Sequence, residues 1–209
     1  MNITTNELYN LFPTPVQLIK YDDIDFFKEQ SKLILDECGD RLKEREHVVS
    51  DDNLHELPQF NTIKSIIDIA VQQHATEIHG LVDNSLELKC MWSNIQSHKC
   101  NHFNHSHPNS YISGVFYLQV PECKSPGPIR FKDPRCGKMA SHGDYYKSTG
   151  VSDRNWWFTP NTGLLILFPS WLEHSTDPFL TIDGNMIDKR ISLSFNYALT
   201  KCSVNTIRI

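Results

Sequence analysis

From Leu86 to Tyr197 the apolar residues fall in short runs broken by proline, glycine and asparagine, and this spacing constrains the fold more than any other feature. The runs are Leu86–Ile95, Tyr111–Val120, Ile129–Lys132, Gly163–Phe168 and Arg190–Tyr197. Most are five to ten residues long and rich in β-branched and aromatic side chains, with turn residues between them. Short strands at such intervals close into an antiparallel barrel or sandwich. The 133–162 insert between the third and fourth runs is loop-rich.

The first third of the chain follows a different period. Leu11–Tyr21 carries Pro13 and Pro15 and then alternates, which suits an edge strand. Such an edge either blocks or frames a homodimer contact, and both readings stay open. Asp22–Glu37 has acidic residues in its first turn, Ile24, Phe27 and Ile34 on one side, and Gly39 as a stop, the pattern of an amphipathic helix. Arg41–Pro58 is charged and aperiodic and reads as an exposed loop. A second helix is expected from the cap residue Asn61, with Ile63, Ile67, Ala70, His74 and Ile78 on one face and an end at Gly80. His74 on that face reads as a packed core histidine.

No linker or repeat divides the chain. The reading is α+β, mainly β: a single 1–209 domain with a helical part over 1–85 packed on one side of an 86–200 jelly-roll core (double-stranded β-helix, cupin-like). An apolar fraction of 39% with 11 Phe, 7 Tyr and 4 Trp supplies a core and excludes a disordered chain. The net charge of -5 argues against nucleic acid as a partner. No apolar run reaches the roughly 20 residues of a membrane span. The opening MNITTNELYNLF lacks a basic and then apolar leader. The six scattered cysteines contain no CxxC pair and read as reduced thiols. Together these features place the chain in a cytoplasm.

Four of the ten histidines lie between His98 and His107. In an extended segment His105 and His107 project to one face, so both imidazoles can reach one metal ion. Imidazole suits iron, zinc, copper or nickel, and a pair alone does not choose among them or exclude a merely His-rich loop. Far downstream, the run Gly163–Phe168 breaks at Pro169 and delivers His174. Arg190-Ile-Ser192 then opens another strand. A jelly roll brings such segments together, placing His174 with His105 and His107 and Arg190 one strand away. Glu173 and Asp177 read as ordinary loop charges.

This order of residues resembles the iron(II)- and 2-oxoglutarate-dependent dioxygenases, and more narrowly a family of 2-oxoglutarate/iron oxygenases common in marine bacteria and phages. The likeness rests on Leu11–Val16 (LFPTPV), His105–Tyr117, Phe168–His174 (FPSWLEH) and Arg190–Asn196 (RISLSFN), with Ile129–Arg135 (IRFKDPR) between them. It spans nearly the whole chain. The resemblance implies iron(II) held by His105, His107 and His174, and 2-oxoglutarate held by Arg190 and Ser192, with Tyr117 and Asn94 adding hydrogen bonds. It also implies hydroxylation of a small-molecule or amino-acid side-chain substrate with release of succinate and carbon dioxide, in a host cytoplasm if the chain is viral. One position departs from the family pattern: His107 stands where most members have a carboxylate. Either three imidazoles hold the ion or a carboxylate comes from elsewhere. Gly114, on the strand of Tyr117, is expected to mark a close approach. The aromatics Trp156-Trp157 and Tyr145-Tyr146 of the insert suit either a lid or simple packing. Two rival readings remain: a cupin-like three-histidine metalloenzyme that does not use 2-oxoglutarate, and a non-catalytic barrel with a zinc closed by His102 or Cys100.

Overall fold

Strands with one wet face alternate apolar and polar residues, whereas strands covered on both faces read as continuous apolar runs. The computed structural model, which describes residues 12–39, 41, 46–82, 85–135 and 153–200, shows the second case at the centre of the molecule. The N-terminal part carries β1 (Gln17–Lys20), α1 (Ile24–Glu37), β2 (His47–Val49) and α2 (Asn61–Glu77). The remainder carries β3 (Leu86–Gln96), β4 (His102–His105), β5 (Ile112–Gln119), β6 (Ser125–Pro126), β7 (Ile129–Lys132) and β8 (Asn155–Phe158). After these come β9 (Leu164–Pro169), β10 (His174–Thr176), β11 (Phe179–Leu180) and β12 (Arg190–Leu199).

A six-stranded sheet runs in the order β1-β9-β5-β12-β3-β2 and a four-stranded one in the order β4-β10-β7-β8. The strand pairs are antiparallel. One face of the large sheet packs on the helices through Phe116, Leu165, Leu167, Leu193 and Phe195 against Phe27, Ile34, Ile63 and Ile67. The alternate residues Val115, Tyr117, Leu164, Ile166 and Phe168 point the other way and meet Ile129 and Phe131 of the small sheet. The result is a double-stranded β-helix with helices on one flank, as expected. Gly114 permits that packing, because a Cβ there would overlap the Phe195 ring and lie 2.9 Å from the Ile166 carbonyl oxygen.

The helices follow the expected pattern with local differences. Asp23 caps α1 by accepting from the Phe26 amide at 3.0 Å, and Phe27, Gln30, Ser31 and Ile34 are buried along one stripe. Ile24 is exposed, because it begins the helix before the stripe meets the sheet. Asn61 does not cap α2. A tight turn over Pro58–Phe60 runs straight into the helix, Phe60 occupies the cap position, and Asn61 is the first helical residue. Ile78 lies past the helix end and is exposed. Gly163 has a φ of +83°, and a Cβ there would strike the Tyr21 carbonyl oxygen and the Phe27 ring. It lets α1 sit close against the start of β9.

The Arg41–Pro58 expectation needs correction. Within that span β2 forms the sheet edge against β3, Val48 is buried, and Leu54 is buried in a tight turn over Leu54–Glu56. Three residues are too few to show a period, and backbone pairing rather than side-chain pattern recruits them. The insert likewise holds β8, paired with β7. Tyr145 and Tyr146 lie outside the described residues, as do Leu11, Cys136 and Cys202. Cys38, Cys90, Cys100 and Cys123 are free thiols. Among the described residues no helix is long and apolar enough to cross a membrane.

His74 is fully buried, and its Nδ1 meets Gln17 Oε1 at 2.8 Å, tying α2 to β1. Burial chiefly, and the neighbouring His79 secondarily, lower it to about 4. An unfolded histidine takes its proton near 6.5, so the unfolded chain is protonated first as pH falls. Stability contributed by this site is therefore full above about pH 6.5 and declines until about pH 4, by up to about 3 kcal/mol. Denaturant midpoints measured across this range should fall less steeply for His74→Gln than for wild type; equal slopes would assign the acid sensitivity elsewhere.

Candidate metal centre and its cavity

Pro169 ends β9, and a tight turn closed by the Leu172 amide on the Pro169 carbonyl at 2.9 Å reverses the chain into β10. His174 opens β10 directly opposite His105, the last residue of β4. Past the end of β4 the His107 amide donates to the Ser170 carbonyl at 2.9 Å, which holds the second imidazole beside the same turn. Ring centroids lie 4.4 Å apart for His105 and His174, and 5.1 Å apart for both His105–His107 and His107–His174. One ring nitrogen from each of the three falls within 4.8 Å of the others. Imidazoles from segments remote in sequence are thus gathered at one point.

Two of the rings are oriented alike. His105 Nδ1 lies 2.7 Å from the Phe103 carbonyl and His174 Nδ1 lies 2.9 Å from the Leu172 carbonyl, each two residues back. A carbonyl can only accept, so Nδ1 carries a proton in both rings and Nε2 is the nitrogen left to face the cluster. His107 Nδ1 instead faces the side-chain amide of Asn196 at 3.5 Å, and Asn196 Oδ1 accepts from the Ser113 hydroxyl at 2.6 Å. Burial lowers His174 to about 3 and His107 to about 4. Both are therefore neutral at physiological pH, the form that can bind a cation.

No carboxylate joins this cluster among the described residues. Glu173 pairs with Lys132 at 2.6 Å, and Asp177 takes both Nε and Nη2 of Arg130 at 2.6 Å. The two acids are ordinary charge pairs. His102 is not part of the cluster and Cys100 Sγ is turned to the Glu46 carbonyl at 3.3 Å, so neither closes the site. Three imidazoles with no fourth ligand among the described residues would make an open centre, unlike the four-ligand closed structural zinc site.

The same cavity extends from the imidazoles to Arg190 and is lined by Asn94, Tyr117 and Ser192 as well. Ser192 of β12 lies between Asn94 of β3 and Tyr117 of β5 in the sheet register, so the three project side by side from one face. Asn94 Nδ2 donates to Ser194 Oγ at 3.1 Å. Arg190 is 1% exposed and forms no ion pair with a carboxylate among the described residues. Its guanidinium donates from Nη1 to the carbonyls of Pro126 at 2.5 Å and Gly127 at 2.7 Å, and from Nε and Nη2 to Gln96 Oε1. A buried cation without an anion is costly, and an incoming anion relieves that cost. The guanidinium fork is therefore partly occupied by the protein itself. Gln96 and Asn196 were missed by sequence reasoning. Gln96 is two residues beyond Asn94 on the same strand face, a period-two signal that could have found it. Asn196 ends a segment already singled out.

A double-stranded β-helix that gathers three imidazoles in one cavity has the build of an open metal centre. The family model described as "Putative 2OG-Fe(II) oxygenase" matches residues 90–196, more than half of the chain, and the chain belongs to that family of oxygenases. No curated protein matches it. Among solved structures it is similar to a prolyl-4-hydroxylase from Pseudomonas putida at 13% identity, covering 88% of this chain and 93% of that one, with a TM-score of 0.59. It is also similar to iron-bound HygX from Streptomyces hygroscopicus at 15% identity, covering 90% and 83%, with a TM-score of 0.58. Against a 2OG-Fe(II) oxygenase-family oxidoreductase from Burkholderia pseudomallei, at 15% identity and a TM-score of 0.49, the match covers 68% of this chain and spans 59% of the length of that one. At these identities the likenesses are ones of fold.

Gly127 has a φ of +68°, and a Cβ there would lie 2.5 Å from Arg190 Nη1 and 2.6 Å from the Asp177 carbonyl oxygen. Gly127→Ala is expected to lower unfolding stability by about 2 kcal/mol, through a strained backbone and a displaced guanidinium. Chemical denaturation checks this; an unchanged midpoint would mean that the turn accommodates a side chain freely.

Proposed function

We propose that the chain is an iron(II)- and 2-oxoglutarate-dependent dioxygenase that hydroxylates its substrate and releases succinate and carbon dioxide, with 1–209 acting as one domain. The observation that carries this reading is the single cavity joining three imidazoles to a buried arginine that has no carboxylate partner among the described residues. His105, His107 and His174 hold the metal in this reading. Arg190 and Ser192 hold the remote carboxylate of 2-oxoglutarate, and Tyr117 and Asn94 add polar contacts to the same molecule. The donor set fits: neutral imidazoles suit iron(II), and a buried guanidinium suits a dicarboxylate. Family membership supports the assignment, as do the HygX structures holding iron and holding nickel with 2-oxoglutarate.

When bound, the iron and 2-oxoglutarate together supply the oxidising chemistry, with dioxygen as oxidant; the protein supplies position and a dry cavity. Burial keeps His107 and His174 unprotonated, the carbonyls of Phe103 and Leu172 orient the His105 and His174 rings, and the sheet holds Arg190 at a set distance from them. Three neutral ligands leave the ion's charge undiminished, which favours an anionic co-substrate. The substrate is a small molecule or an amino-acid side chain in this reading. The prolyl-4-hydroxylase neighbour and a HygX structure holding hygromycin B lend support to those two kinds, and the chain's net charge of -5 speaks against nucleic acid. The free thiols favour a cytoplasmic setting.

Succinate formation from 2-oxoglutarate in the presence of iron(II), ascorbate and air, with no primary substrate, tests the proposal. Wild type should release succinate slowly. His174→Ala should release none, and Arg190→Ala should bind 2-oxoglutarate at least about 30-fold more weakly. Metal-loaded, folded wild type that forms no succinate and binds no 2-oxoglutarate would refute the reading.

A further inference from the structure

We propose that Gln96 is a second anchor for the anionic end of the co-substrate, so that the carboxylate is gripped by an arginine–amide pair rather than by the arginine fork alone. The inference rests on the oxygenase reading of the cavity and deepens it. Gln96 is the last residue of β3, is 1% exposed, and lies directly opposite Arg190 of β12 in the sheet register. It lines the cavity with Arg190, Ser192 and Tyr117.

The hydrogen bonds allow one arrangement. Arg190 Nη1 gives its protons to the Pro126 and Gly127 carbonyls. Its Nε donates at 3.1 Å to Gln96 Oε1, which Nη2 also reaches. A guanidinium has five N–H donors, so one on Nη2 is left. The two-pronged Nε/Nη2 edge, with which arginine pairs to carboxylates, is thus already taken by an amide oxygen. That oxygen must be the atom facing Arg190, because the alternative amide orientation would set N–H against N–H. The same constraint turns Nε2 away, and Nε2 is buried with no hydrogen-bond partner. A buried amide N–H without an acceptor is unfavourable and most proteins avoid it. Here it stands beside a buried cation in a cavity that also presents the Ser192 and Tyr117 hydroxyls. An entering carboxylate would accept from Gln96 Nε2 and the remaining Arg190 Nη2 proton together, satisfying both groups. Gln96 Oε1 meanwhile holds the guanidinium in place before the anion arrives.

Equilibrium binding of 2-oxoglutarate to the full chain loaded with nickel(II), measured by titration calorimetry, tests this. Gln96→Glu puts a carboxylate against Arg190, neutralising the anchor and repelling the dicarboxylate. Its affinity should fall by at least about 100-fold, while nickel binding measured without 2-oxoglutarate stays at the wild-type value. Gln96→Leu loses the amide without adding charge and should weaken 2-oxoglutarate about tenfold, the scale of one hydrogen bond to a charged group. Either variant that binds nickel normally suffices for the test. Variants that bind nickel and bind 2-oxoglutarate within threefold of wild type would overturn the role of Gln96 and leave the oxygenase reading intact. Wild type that binds nickel and not 2-oxoglutarate would overturn both.

Discussion

The pairing of β10 with β4 is the contact on which the rest of the molecule's organisation depends. It sets His174 directly across from His105, and the turn after Pro169 that makes the pairing possible also holds the backbone of His107. Slipping one strand by a single residue would send His174 to the outer face, since neighbouring side chains of a strand point to opposite faces. The register is protected by what surrounds it. Phe131 lies opposite His174 on the other side, and its ring packs on Phe168 at 5.0 Å, so a slip would also expose core aromatics.

Electrostatics divides the cavity into two ends that need different partners. At one end, burial keeps His107 and His174 neutral at physiological pH, and His174, its Nδ1 turned to the Leu172 carbonyl, keeps Nε2 for a cation. At the far end, Arg190 stays charged while buried, held by two carbonyls and an amide oxygen. Burial lowers its affinity for a proton, yet an arginine starts so high that it stays protonated. A ligand spanning the cavity would therefore meet a cation-binding end and an anion-binding end. Neither end shows that character in an unfolded chain, where water screens the guanidinium and imidazoles are partly protonated.

Around His105, His107 and His174 it is carbonyls and an amide, not an acidic side chain, that face the ring nitrogens. The carbonyls of Phe103 and Leu172 orient two rings, and Asn196, fixed by Ser113, faces the third. The nearby acids Glu173 and Asp177 are committed to Lys132 and Arg130 on the outside of the small sheet.

Much of this was readable from the order of residues. The long apolar runs of β3, β5, β9 and β12 announced strands because each is covered on at least one face, and α1 and α2 announced themselves by the stripe they bury. The His105-Ser-His107 pair, His174 after a proline-broken strand, and Arg190-Ile-Ser192 marked the cavity because such residues are few and their spacing has a geometric meaning. The short strands β2, β4, β6, β8, β10 and β11 were not readable: none carries the alternation that marks the equally short β1 and β7, and backbone pairing rather than pattern recruits them. Gln96 shares the face of Asn94, two residues on, but an amide at a strand end gives no sign of its role until a buried cation is placed beside it. Residue chemistry and period are local properties and are written in the chain itself. Which imidazole faces which, and which amide is left without a partner, depends on strand register and burial, and these exist only once distant segments have packed.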